Sequence, residues 1–246
     1  MSGVQLGFVG KFPANYDSQA QRLSLQKQGN FAPDDVDFAA AIRQGKHIEK
    51  RNLSTTPTLG AMLTQITAQQ NAAISRVDLI THAGTGRVGL RGAVEVRKIL
   101  GGYTHDVRFD DDTSGDLAKC PFLERTSLEA IPQDEQFKGL VAKARAKFAK
   151  NAELHVYACN AGLTEGAVTP LVQLVASTFG ARTFMFKAEM GFRLKENSAW
   201  AFHLRFLVKG RDPATGAPNT EKTDEVDDYR DLDNFKSLIA SASPGK

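Results

Sequence analysis

Apolar residues fall into two kinds of run along the chain. Val4–Val9, Val77–Thr81, Leu154–Ala158 and Arg182–Phe186 are short, mostly apolar stretches bounded by turn formers, and each is expected to be a buried strand. Gly10 and Pro13 close the first of them. Other stretches carry helical spacing. Thr58–Ala73 places Leu59, Met62, Leu63 and Ile66 on one face, with Ile74 following in the same series. Phe31–Arg43 has Pro33 near its start and Asp34 and Asp35 in its first turn, where a helix favours negative charge. Phe137–Lys150 and Thr169–Phe179 complete the set, the latter broken by Gly180. Arg91–Leu100 reads as a short helix ended by Gly101-Gly102. A helix that feeds directly into a strand marks a parallel α/β unit, so the expected class is α/β with a mostly parallel sheet.

The remainder is less regular. Tyr103–Gln136, with acidic Asp110-Asp111-Asp112 and turn formers at Ser114-Gly115, is expected to be an insertion outside the core. Ala199–Lys209, which carries Trp200, reads as an outer strand, Arg211–Asp228 as an exposed loop and Asp233–Ala240 as a last short helix. No repeat and no shift in composition divides residues 1–246, so one domain with an insertion at 103–136 is expected.

Composition narrows the partners. The 246 residues are 41% hydrophobic and 24% charged, enough to bury a substantial core. Basic residues (31) barely outnumber acidic ones (28), and a net charge of +3 gives no strong field for nucleic acid or an anionic membrane. The basic cluster within Lys138–Lys150 has the spacing of a solvated helix face. Two cysteines, Cys120 and Cys159, make no disulfide framework and fit a reducing compartment. The first residues lack a basic leader with a long apolar run. A cytoplasmic location is therefore expected, with export by a route lacking a cleavable signal left open.

Two strands share a feature that bears on chemistry. The run ending Leu79-Ile80-Thr81 delivers His82, followed by Ala83-Gly84, and the run ending Val156-Tyr157-Ala158 delivers Cys159, followed by Asn160-Ala161-Gly162. In open α/β sheets functional groups gather at the carboxyl ends of strands. A thiol with a pKa of roughly 8.5 needs a base to become a nucleophile, and an imidazole can take that proton and later return it to a leaving amine. Small residues after each group let a substrate backbone approach and free N–H groups for an oxyanion.

The other candidates are weaker. Cys120 stands beside Pro121 with no strand to present it. His155 shares a strand face with Tyr157 and Cys159 and reads as a hydrogen-bonded sheet residue. His47 and His105 look like surface residues, and His203 lies inside the late strand. No zinc-ligand spacing, phosphate loop or nucleophile elbow is present, so no metal and no cofactor are expected.

The segments Leu79-Ile80-Thr81-His82 and Val156-Tyr157-Ala158-Cys159 resemble the caspase-like cysteine peptidases, which place a His after one parallel strand and a Cys after the next. The likeness is greatest to an uncharacterised bacterial caspase-like family. Thr81–Gly86, Tyr157–Gly162 and Leu171–Ala181 carry it, and it covers roughly Thr58 to Phe186. The resemblance implies a three-layer caspase-like sandwich and hydrolysis of peptide bonds in a peptide or protein substrate. Cys159 would be the nucleophile and His82 the acid/base, with the backbone N–H groups of Ala83 and Cys159 as the oxyanion hole. Ala83 stands where the family usually has glycine. Two other readings stay open: a catalytically inactive recognition or scaffold module of the same fold, and an unrelated α/β domain.

Overall fold

A computed structural model describes residues 3–27, 53–111, 115–164, 166–194, 200–208, 222–226 and 238–245. The helix expected at Phe31–Arg43 lies outside these residues.

In chain order the elements begin with β1 (Val4–Gly10), β2 (Ala14–Asn15), α1 (Gln19–Lys27), β3 (Leu53–Thr56), α2 (Leu59–Thr67) and β4 (Ile74–Ile80). Two hairpin units follow: β5 (Ala83–Gly84) with β6 (Arg87–Gly89), and β7 (Gly92–Ile99) with β8 (Gly102–Phe109). Next come β9 (Phe122–Glu124), α3 (Arg125–Ala130), a 3-10 turn at Ile131–Gln133, α4 (Glu135–Arg145) and β10 (Phe148–Tyr157). The chain continues through α5 (Leu171–Phe179), β11 (Arg182–Phe186), β12 (Glu189–Leu194), β13 (Trp200–Val208), β14 (Lys222–Val226) and β15 (Ile239–Ala242).

The central sheet has six strands in the order β15-β11-β10-β4-β1-β3. Five run parallel, and β15 is antiparallel on its edge against β11. The chain leaves β1 for β3 on one side and returns on the other at β4. The connections therefore diverge above the carboxyl ends of β1 and β4, the place where open α/β sheets form clefts.

Strand alternation gives the sheet two unlike faces. Phe8, Val77, Leu79, Leu154, Val156 and Met185 form one row and join a single hydrophobic cluster. Leu59, Met62, Leu63 and Ile66 of α2, Phe137 and Val141 of α4, and Val172, Val175 and Phe179 of α5 belong to the same cluster. The opposite row carries Arg76, Asp78, His155 and Tyr157, all buried. The helices start and stop where side chains satisfy their ends. Thr58 Oγ1 accepts from Ala61 N–H at 3.1 Å, and Asp134 Oδ1 accepts from Phe137 N–H at 2.8 Å. Gly180, at φ +67°, ends α5 in the left-handed conformation that suits glycine.

Several expectations are corrected. Arg91–Leu100 is no helix: Gly92–Ile99 pairs with Gly102–Phe109 across a turn in which Gly101 takes φ +84°. The alternating Val94 and Val96 fit a pleated strand better than a helix, and the partner strand makes the pairing possible. The helix at Thr58–Ala73 is nine residues long, and Ile74 opens β4 instead of continuing it. The 103–136 stretch holds β8, β9, α3 and the 3-10 turn, and Leu117, Cys120, Phe122, Leu123 and Leu128 belong to the main hydrophobic cluster. The last segments also differ: Lys222–Val226 is a strand within the expected loop, and Ile239–Ala242 is the edge strand where a helix was expected to end.

Candidate catalytic centre at the carboxyl end of the sheet

Strand register sets the positions of the two candidate residues. Arg76 pairs with Glu153, Asp78 with His155 and Ile80 with Tyr157 across β4 and β10. Thr81 N–H donates to Tyr157 C=O at 3.1 Å, which carries the pairing one step beyond the strand. Beyond that bond both segments leave the sheet: His82 follows β4 and Cys159 lies in the turn that follows β10.

The His82 ring packs edge-on against Phe12, with centroids 5.0 Å apart, and lies 6.1 Å from the ring of His105. Part of His82 reaches the surface, but its Nε2 is buried and has no hydrogen-bond partner among the described residues. Burial first, and the nearby His105 second, lower its pKa from 6.5 to about 3, so the imidazole is neutral at pH 7. Cys159 is part-buried and forms no disulfide. Cys120 is buried, with its thiol 3.6 Å from the Phe122 carbonyl oxygen, and it takes no part in the strand-end arrangement. His82 and Cys159 thus each follow the carboxyl end of a central strand, and no hydrogen bond from His82 Nε2 joins them.

The turns after each residue are held by backbone bonds. Gly89 N–H donates to His82 C=O at 3.0 Å, so residues 82 and 89 form a bonded pair. Alternation in an antiparallel ladder then makes Ala83 and Val88 the non-bonded pair and turns the Ala83 N–H away from β6. After Cys159, Asn160 takes φ +57°, a left-handed conformation that Asn tolerates better than most residues. Its N–H donates to Ala188 C=O at 3.0 Å, and Gly162 N–H donates to Phe186 C=O at 2.8 Å. A Cβ on Gly162 would come within 2.8 Å of Met185 O, so glycine lets this turn lie against the end of β11.

His105 corrects its expectation as a surface residue. It is partly buried on β8 beside His82, and burial lowers its pKa against the opposing pull of Asp106. His155 meets its expectation: it is buried, with Nε2 3.0 Å from Glu153 Oε2. Its pKa is lowered by burial, opposed by the bond to Glu153 and the charge of Asp78. His47 lies outside the described residues, and His203 lies within β13.

One constellation escaped sequence reasoning. Arg76 Nε lies 2.9 Å from both oxygens of Asp78, and Arg76 Nη2 donates to Tyr157 Oη at 2.8 Å. His155 Nδ1 sits 3.6 Å from Asp78 Oδ1. Asp78 is fully buried. These groups occupy the strand face that leads up to His82 and Cys159. The available signal was a pair of opposite charges two residues apart inside an otherwise apolar strand.

A groove of about 160 Å³ opens beside the two turns. Thr85 and Gly86 from the β5–β6 turn, Leu163 and Thr164 from the turn after Cys159, and Arg125 at the start of α3 line it. Among the described residues no three His, Cys, Asp or Glu groups gather as a metal site. No described helix is long and apolar enough to cross a membrane. Comparisons with protein families, with curated proteins and with solved structures found no match.

Proposed function

We propose that the protein is a caspase-like cysteine peptidase in which Cys159 is the nucleophile and His82 the acid/base. The observation that supports this reading is the parallel pairing of β4 with β10, whose carboxyl ends lead into His82 and Cys159. Neutral His82 accepts the thiol proton as Cys159 attacks the scissile carbonyl, then returns it to the departing amine. Water releases the acyl group by the reverse proton path. The Ala83 N–H, turned away from β6, and the Cys159 N–H hold the oxyanion. Burial disfavours the imidazolium, so His82 is the neutral proton acceptor in the free protein. Replacement of Cys159 by Ala, with circular dichroism unchanged, is expected to abolish cleavage of a broad peptide library. Cleavage at the wild-type rate by that variant overturns the assignment.

A second reading has its own observation. The buried His82 Nε2 has no partner among the described residues, and its ring is held by Phe12 and His105. That arrangement also suits a recognition or scaffold module that cleaves nothing. An iodoacetamide probe separates the two. A working centre alkylates Cys159 faster than Cys120 and slows when His82 is replaced by Ala, whereas an inert module shows no dependence on His82.

A further inference from the structure

We propose that the tip of the β7–β8 hairpin inserts into the surface of an anionic lipid membrane, with Ile99 and Leu100 entering the apolar layer and Lys98 meeting the headgroups. The proposal does not rest on the peptidase reading.

Exposed aliphatic side chains are gathered at this tip. Ile99 is 53% exposed, Leu100 is wholly exposed, and the two are adjacent. The other large apolar residues exposed among those described, Leu23 and Val168, are isolated in sequence. The turn itself does not demand an apolar residue. Gly101 takes φ +84°, where glycine is favoured, but Leu100 before it has no positive φ, and such a turn position accepts polar residues freely. Burial also falls away along β7, from buried Val94 to exposed Arg97, Lys98 and Ile99. At the rise of a strand Ile99 lies about 17 Å beyond Val94, so the tip projects from the small cluster that holds the base of the hairpin.

The charges at the tip have one sign. Residues 96–105 include Arg97 and Lys98 but no Asp or Glu. Arg97 is engaged by Asp106 at 3.1 Å and by Glu95 at 3.4 Å. Lys98 is exposed, has no ion-pair partner among the described residues and stands opposite Tyr103 in the register. Aliphatic residues flanked by a free ammonium and a phenol suit a bilayer surface. The aliphatic groups sink roughly 5–10 Å, the cation meets anionic headgroups and Tyr sits at the boundary. A net charge of +3 on the whole chain adds little attraction at a distance, so the contact depends on the tip.

A protein partner fits less well. A stable protein interface takes about 800 Å² from each side. Beside the tip, Glu95 pairs with both Arg97 and Arg108, which makes a row of matched charges and not a wider apolar patch. A lipid surface needs no complementary pocket.

The test is flotation of the full chain with vesicles at millimolar lipid, either phosphatidylcholine alone or equal parts phosphatidylcholine and phosphatidylserine. The wild-type chain is expected to float with the mixed vesicles. Ile99→Ser/Leu100→Ser should weaken that binding by at least about thirtyfold. Lys98→Gln should weaken it about fivefold on mixed vesicles and leave binding to phosphatidylcholine unchanged. Val168→Ser, which removes an exposed aliphatic residue elsewhere, should float as the wild type does. Leu100→Trp supplies a readout that does not depend on losing binding: its added fluorescence should be quenched by lipid brominated in the acyl chain. A wild-type chain that does not float, or flotation that survives the double serine variant, overturns the proposal. If that variant has lost its circular dichroism signal, the tryptophan decides, and fluorescence unquenched by bound brominated vesicles overturns the proposal. A dimer in sedimentation equilibrium that the double variant abolishes, without flotation of the wild type, overturns it in favour of a second copy of this chain.

Discussion

His82 combines exposure to chemistry with a protonation penalty. Its folded pKa near 3 lies below the unfolded value of 6.5, so the unfolded chain binds the proton first as pH falls. The contribution of neutral His82 to stability is complete above pH 6.5 and disappears as pH falls through 3. Urea midpoints measured from pH 7 to pH 4 should therefore decline, and His82→Phe should decline less over the same window. Equal declines would show that the imidazole is not sealed from water. His105 and His155 add to the wild-type slope in the same direction, since burial lowers both. That is why the comparison is between variants and not with a neutral baseline. At this scale the sequence was informative about His82 and Cys159, because each follows a strand visible in the apolar pattern. It was silent about His105. The contact between two rings 23 residues apart depends on the β7–β8 hairpin folding back toward Phe12, and no local periodicity encodes that.

Between β4 and β10, a polar cluster does the work that apolar packing does on the sheet's other face. Arg76 is held by Asp78 along its own strand and reaches Tyr157 on the next, so the pair ties the two strands that carry the candidate site. Buried ions are costly to leave unmatched. Asp78→Asn or Arg76→Met alone should lower unfolding free energy by about 3–5 kcal/mol, read as a shift in the denaturant midpoint. The double variant Arg76→Met/Asp78→Leu should recover much of the loss, because it leaves no isolated charge. Single losses below about 1 kcal/mol would mean that water reaches the pair. The elements themselves were unevenly legible. Arg182–Phe186 and the start of β1 matched their strands because the turn formers sit next to the apolar runs. The error at Arg91–Leu100 arose because Val94, Val96 and Ile99 satisfy a loose helical pattern as well as a strand. The partner strand that decides between them lay in the stretch set aside as irregular.

At the scale of the molecule, the sheet order divides the chain into parts of unequal security. β4 and β10 have parallel neighbours on both sides and rows of fully buried Val, Leu and Ile. The parallel core was readable because one row of each central strand is apolar and buried, and Arg76, Asp78 and His155 interrupt only the other. The antiparallel edge at β15 was not, since Ile239-Ala240-Ser241-Ala242 takes its conformation from pairing with β11, more than fifty residues away in sequence. The β7–β8 hairpin is different again. It rests on a small separate cluster in which Phe12 and Val94 are buried, with Val107 and Phe109 packed against them, while its far end exposes Ile99 and Leu100. Regions with few buried apolar contacts open locally at lower free energy than the core. Native-state hydrogen exchange should therefore show the amides of Val77, Leu79, Leu154 and Val156 exchanging only through global unfolding. Those of Arg97 to Thr104 should exchange through a smaller, denaturant-insensitive opening. Because His105 of this hairpin packs beside His82, and its Phe109 packs on Phe12, which also touches His82, such an opening would uncover the buried Nε2. Val94→Ala should then accelerate both hairpin exchange and alkylation of Cys159 in the peptidase reading. Faster exchange with unchanged alkylation would separate hairpin motion from access to the thiol.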